Sequence, residues 1–112
     1  MKTNFNELSE FSKEFKRFSK KYKSLYDDLE EFKRIVNVVP LGNSKHFNVI
    51  TRNEQCVIVK ARLFSRYLKH SSLRIVYAFY NQNCKIDFIE IYFKGEKDNE
   101  DRERIKNYLK NF

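Results

Sequence analysis

A chain of 112 residues has room for one hydrophobic core, and a single domain spanning 1–112 is expected. Twenty-three Lys and Arg against fifteen Asp and Glu leave a formal charge of +8, an excess that concentrates polyanions such as phosphate backbones. Hydrophobic residues make up 41%, weighted to eleven Phe and seven Tyr with only two Gly and one Pro, which excludes low-complexity and disordered classes. No apolar run approaches the roughly 18 residues of a membrane span, and no secretory hydrophobic stretch opens the sequence. Cys56 and Cys84 form no CxxC pair, and His46 and His70 are the only histidines. Neither a zinc site nor a disulfide framework is expected, and the cysteines read as reduced strand residues of a cytoplasmic protein without a cofactor.

Residues 3–8 predict a short opening strand. From Ser9 the apolar spacing changes to threes and fours, with Leu8, Phe11, Phe15, Phe18 and Tyr22 forming one helical stripe. Lys13, Lys16, Arg17, Lys20 and Lys21 fall between them as a solvated helix back. Ser24, followed by Asp27 and Asp28, predicts the start of a second helix, where carboxylates suit the helix dipole. Leu25, Leu29, Phe32, Val36 and Val39 supply its stripe, and Pro40 and Gly42 end it.

The second half supplies strands over 56–64, 72–80 and 85–93, all rich in β-branched and aromatic residues. Asn81-Gln82-Asn83 forms the turn between the last two, and 46–51 is a candidate further strand ending in a turn at 52–55. From Asp98 onward, Ile105, Tyr108, Leu109 and Phe112 predict a final helix. The fold class is α+β, with element order β-α-α-β-β-β-α and a helical hairpin packed on a mainly antiparallel sheet.

Alternation along a strand sorts side chains between the sheet's two faces. One set, Val57, Val59, Ala61, Leu63, Leu73, Ile75, Tyr77, Phe79, Ile89, Ile91 and Phe93, is almost wholly apolar and should meet the hairpin. The other contains Lys60, Arg62, Arg74, Glu90, Tyr92 and Lys94 among Ile58, Val76, Ala78 and Phe88. Antiparallel sheets often leave one face wet. A generic wet face mixes signs more evenly than four cations to one carboxylate, and Val76 and Ala78 would floor such a patch. A basic groove is therefore expected there.

VKARL at 59–63, LRIVYAF at 73–79 and FIEIYFKGEK at 88–97 resemble core motifs of the RelE/ParE toxin superfamily, and FSKEFKRFSKKYKSL at 11–25 resembles its first helix and the link to the second. The resemblance implies the toxin of a type II toxin–antitoxin system, with an antitoxin as protein partner. RelE-like members cleave mRNA in the ribosomal A site, and ParE-like members inhibit DNA gyrase. By position, Arg74 matches the arginine that stabilises the scissile phosphate. Lys60 matches a lysine implicated as general base or charge stabiliser, Arg62 matches a neighbouring phosphate contact, and Lys94 matches the lysine ending the last strand. The chain departs from that pattern at Gly95, where the RelE branch has arginine. It departs again around Glu100, where the branch has tyrosine, and at Ser71-Ser72-Leu73, where glycine is common.

These residue types suit metal-independent RNA cleavage. Attack of a ribose 2′-hydroxyl on its own phosphate gathers negative charge that fixed cations stabilise more than the ground state. Arg74 grips phosphate bidentately, and Lys60 serves as base if crowding by Arg62 and Arg74 lowers its pKa. Glu90 is an alternative base and Tyr92 a base-stacking platform. His70 is a candidate acid, and Arg66 and Lys69 are candidate contacts to ribosomal RNA. The expected partners are thus mRNA, the ribosome and an antitoxin. A non-catalytic gyrase inhibitor and an inactive RNA-binding relative are the alternatives.

Overall fold

In the computed structural model, which describes residues 2–42, 45–63 and 73–111, a five-stranded sheet carries helices on both faces. The chain runs β1 (Asn4–Glu7), α1 (Ser9–Lys21), α2 (Leu25–Val38), β2 (Phe47–Arg52), β3 (Val57–Leu63), β4 (Leu73–Tyr80), β5 (Lys85–Phe93) and α3 (Arg102–Lys110). The sheet order is β1-β5-β4-β3-β2. β1 lies parallel to β5 and every other pairing is antiparallel. One strand, β2, is added to the expected order, where the candidate at 46–51 forms an edge strand.

The first face is built as its periodicity demands. Phe11, Phe15, Phe18, Leu25, Leu29, Phe32 and Val36 from the hairpin bury against Val59, Ala61, Leu63, Leu73, Ile75 and Tyr77. Burying side chains of this size contributes about 1.5–3 kcal/mol each. Ser24 occupies the α2 N-cap, and its hydroxyl donates to the buried Asp28 carboxylate at 2.7 Å rather than capping a backbone amide. Gly42, in the connection that follows α2, has φ 75°, and a Cβ there would lie 2.0 Å from the Phe47 ring, so glycine is needed for both reasons.

Two features correct the alternation read from the sequence. Val76 stands opposite Glu90 but Tyr77 stands opposite Phe88, so Ile89 is the extra residue of a β-bulge. Phe88 consequently turns toward the hairpin, 5.2 Å from the Phe11 ring and 6.4 Å from Phe32, while Ile89 joins the opposite face. Their expected places are exchanged.

The second correction concerns the sheet face opposite the hairpin. Val76 and Ala78 do not floor an open groove; they are fully buried with Ile58, Tyr80, Ile89 and Tyr92 beneath Ile105 and Tyr108 of α3. Polar bonds fasten this helix at both ends. Arg104 grips Glu14 of α1 through both guanidinium nitrogens at 2.9 and 2.8 Å and also donates to the Ile89 carbonyl. The Tyr108 hydroxyl donates to Asp87 at 2.6 Å and meets the Tyr80 hydroxyl at 2.5 Å. Among the described residues, the end of the sheet beyond the start of α3 is left uncovered.

Candidate anion-binding site

That uncovered end is built from two rows of side chains running across the strands. The first row follows from strand register: Arg62 of β3 is opposite Arg74 of β4, which is opposite Tyr92 of β5. On the other side, Phe47 pairs with Ala61 and the Arg62 amide donates to the His46 carbonyl at 3.1 Å, which puts His46 beside Arg62. In the second row, Asn48, Lys60, Val76 and Glu90 are successive neighbours. Residues directly opposite in a ladder share a face. Lys60, Arg62, Arg74 and Lys94 accordingly line one recess of about 190 Å³ together with Lys45, His46, Asn48 and Ala61.

Five of those lining residues are cations, and none is a carboxylate. Like charges directly opposite across two strands destabilise a sheet, and Arg62 against Arg74 is such a pair. Partial burial lowers the Arg74 pKa below its usual value, and the Arg62 charge lowers it further. Both effects disfavour the charged form, and the Tyr92 phenol acts in the opposite direction.

Lys60 has a carboxylate beside it. Its ammonium lies 2.9 Å from Glu100 Oε1, and Arg102 Nη2 stands 2.8 Å from the other oxygen. Burial alone would raise the Glu100 carboxyl, but hydrogen bonds from Lys60 and the backbone, with the Lys60 and Arg102 charges, together hold it below its ordinary value. The ion pair ties the Lys60 side chain to the link that precedes α3.

Glu90 and Tyr92 do not reach the recess. Glu90 is fully buried; Oε1 accepts from the Asp101 amide at 2.8 Å, and Oε2 is engaged by Lys97. Tyr92 is 5% exposed, packed in the α3 cluster with the Lys97 ammonium 5.5 Å above its ring. Burial first, then the charges of Glu100 and Glu90, push its phenol up to about 12. Neither is an open stacking platform or an available base. Arg66, Lys69 and His70 lie outside the described residues, as do Ser71 and Ser72.

A larger and more open cleft of about 500 Å³ runs along α3. Glu10, Asp101 and Glu103 line it with Arg104, so its charge is wrong for a phosphate. No group of three or more potential metal-ligating side chains occurs among the described residues. No described helix is long and apolar enough to cross a membrane.

No protein-family model matches the sequence, and no curated protein does either. The backbone does have a match: a chain in the crystal structure of the archaeal RelE-RelB complex from Pyrococcus horikoshii OT3 superposes with a TM-score of 0.66 at 17% identity. The match covers 85% of this chain and 98% of that one. This chain has a RelE-like fold.

Within that RelE-like sheet, sequence reasoning had missed two things at the recess. His46 and Asn48 belong to it because β2 pairs with β3, and a six-residue edge strand of mixed polarity gives too little alternation to fix its register in advance. Glu100 reaches Lys60 across 40 residues of sequence, in the link between β5 and α3. The local signal for it was the acidic run Asp98-Asn99-Glu100-Asp101 ahead of a helix, which also suits an ordinary helix start; Asp101 fills that role by accepting from the Arg104 amide at 3.0 Å.

Proposed function

We propose that this RelE-like chain is the toxin of a type II toxin–antitoxin pair, an endoribonuclease that cleaves mRNA at the ribosome without a metal. The observation that carries the reading is the opposed pair Arg62 and Arg74, set in one recess with Lys60 and Lys94. Two neighbouring guanidinium groups match a phosphodiester in charge and in hydrogen-bonding geometry.

In this reading Arg74 and Arg62 hold the non-bridging oxygens of the scissile phosphate and stabilise the charge that grows on them during attack by the 2′-hydroxyl. Lys60 adds a charge held in place by Glu100. Lys94, exposed at the rim, meets a neighbouring phosphate. Glu90 acts at one remove, because by binding the Asp101 amide and Lys97 it fixes the link that carries Glu100. Arg66, Lys69 and His70 are assigned to ribosomal RNA contacts, the antitoxin is the protein partner, and the cytoplasm is the site of action.

Induced expression in a bacterium tests the reading. Rapid arrest of protein synthesis with discrete new mRNA ends in translated frames is expected. Filamentation with DNA damage and intact mRNA would instead identify a gyrase inhibitor, and normal growth an inactive RNA-binding relative.

A further inference from the structure

A phosphate held at Arg62 and Arg74 belongs to a longer strand, whose flanks have to leave the recess across the protein surface. On the β5 side the recess ends with Lys94, exposed in the residue after Phe93. The Phe93 ring is on the other face of the same strand end, packed against the hairpin core and 6.4 Å from the Tyr22 ring. The Lys21 ammonium sits over both rings, 6.0 Å from Phe93 and 5.5 Å from Tyr22. The last turn of α1 therefore stands at the same end of the sheet as the recess, around the rim of β5 from it.

Arg17, Lys20 and Lys21 are exposed and spaced three and four residues apart, so they share one face of α1. The Arg17 guanidinium lies 4.3 Å from the Phe18 ring and meets Glu96, just beyond β5, at 3.6 Å. Both partners of that ion pair are more than half exposed, and such a pair is weak enough for a phosphate to exchange with the carboxylate. Lysines in a last turn also suit the helix dipole. That accounts for Lys20 and Lys21 but not for a third cation one turn earlier on the same face.

We infer that Arg17, Lys20 and Lys21 extend the recess into a track for the phosphate backbone of single-stranded RNA, which passes Lys94 and turns around the end of β5 onto α1. The inference rests on RNA occupying the recess and adds where the flanking strand goes. A basic groove that follows the backbone is the usual way to hold a single strand without regard to sequence. Lysines serve it as point charges on flexible stems, and the Lys21 stem is laid along aromatic surface.

Equilibrium binding to the intact protein at several salt concentrations tests this, with a dinucleotide and with single strands of about ten nucleotides in different sequences. The double variant Lys20→Gln, Lys21→Gln should weaken binding of every longer strand about tenfold at about 0.15 M salt and flatten the log–log salt slope by roughly 1.4. Its affinity for the dinucleotide should stay within about twofold, which also reports an intact recess. The control Lys106→Gln, Lys110→Gln removes the same charge from α3 and should leave strand binding within about twofold. Equal weakening by both double variants would reduce the effect to net charge and overturn the inference, as would equal weakening for the dinucleotide or none at all. Cleavage is scored separately on programmed ribosomes. A wild type that binds strands through these lysines yet cuts no mRNA would remove the ribonuclease reading alone; one that cuts mRNA while the lysine variant loses no affinity would remove the track alone.

Discussion

Arg62 of β3 and Arg74 of β4 stand directly opposite each other in the antiparallel ladder, so two guanidinium groups share one recess at a single strand spacing. Such a pair lowers stability by roughly 0.2–1 kcal/mol. Arg74→Gln removes that repulsion together with the bond the guanidinium gives to the Leu73 carbonyl at 3.3 Å, so the protein should stay folded in urea denaturation. The same change should reduce mRNA cleavage by about 10²–10³, the usual loss when one donor to transition-state charge is removed. A variant that loses stability and activity together would show that Arg74 serves packing instead.

Glu100 links the recess to α3. Replacing it with Gln removes the charge from a buried ion pair with Lys60, and a loss of about 1–3 kcal/mol is expected near neutral pH. The pH dependence follows from the direction of its shift. A carboxyl held below its ordinary value stabilises the fold fully above the unfolded pKa of about 4.3, and that stabilisation disappears as pH falls through the lower folded value. Urea melts of wild type and Glu100→Gln should thus converge in acid and separate toward neutrality. A constant gap at all pH values would mean that the carboxylate charge contributes nothing.

The bulge at Ile89 has its own test. Phe88 is fully buried, stacking on Phe11 at 5.2 Å and on Phe5 at 5.8 Å, so Phe88→Ala should cost about 3–5 kcal/mol in chemical denaturation. A strand without the bulge would turn Phe88 to the α3 side, away from Phe11. A double-mutant cycle with Phe11→Ala should show coupling above about 0.5 kcal/mol, and additive losses would remove the bulge from the description.

At the far end of α3, Tyr108→Phe deletes the hydroxyl that bonds the buried Asp87 carboxylate and Tyr80. A loss of about 1–3 kcal/mol is expected because Asp87 forfeits a donor. Faster hydrogen exchange should be concentrated in Arg102–Lys110. Affinity for a short single-stranded RNA should stay within about twofold, since none of Tyr80, Asp87 and Tyr108 lines the recess. A large drop in affinity would show that α3 shapes the recess along its whole length.

Much of this fold is legible in the residues because its elements are strongly periodic. The stripe of Phe11, Phe15 and Phe18 admits only a helix, and the β-branched runs at 57–63 and 73–80 admit only strands. The cation rows are legible for the same reason, since Lys60, Arg62 and Arg74 sit on strands without bulges between them. Elsewhere local pattern is silent. One inserted residue exchanged Phe88 and Ile89, and nothing in FIEIYF marks where the insertion falls. Glu90 and Tyr92 alternate correctly with their neighbours, yet their burial depends on α3 docking over them. Alternation assigns a side chain to a face; whether that face stays wet depends on what a distant segment does.

The most direct measurement is single-turnover cleavage of ribosome-bound mRNA by wild-type protein and by Arg74→Gln, with both shown to be equally folded. Discrete cuts by the wild type, and about 10²–10³ slower cutting by the variant, are the expected result. Equal cutting by the two proteins would contradict the assignment of the Arg62–Arg74 recess as the place where RNA is broken.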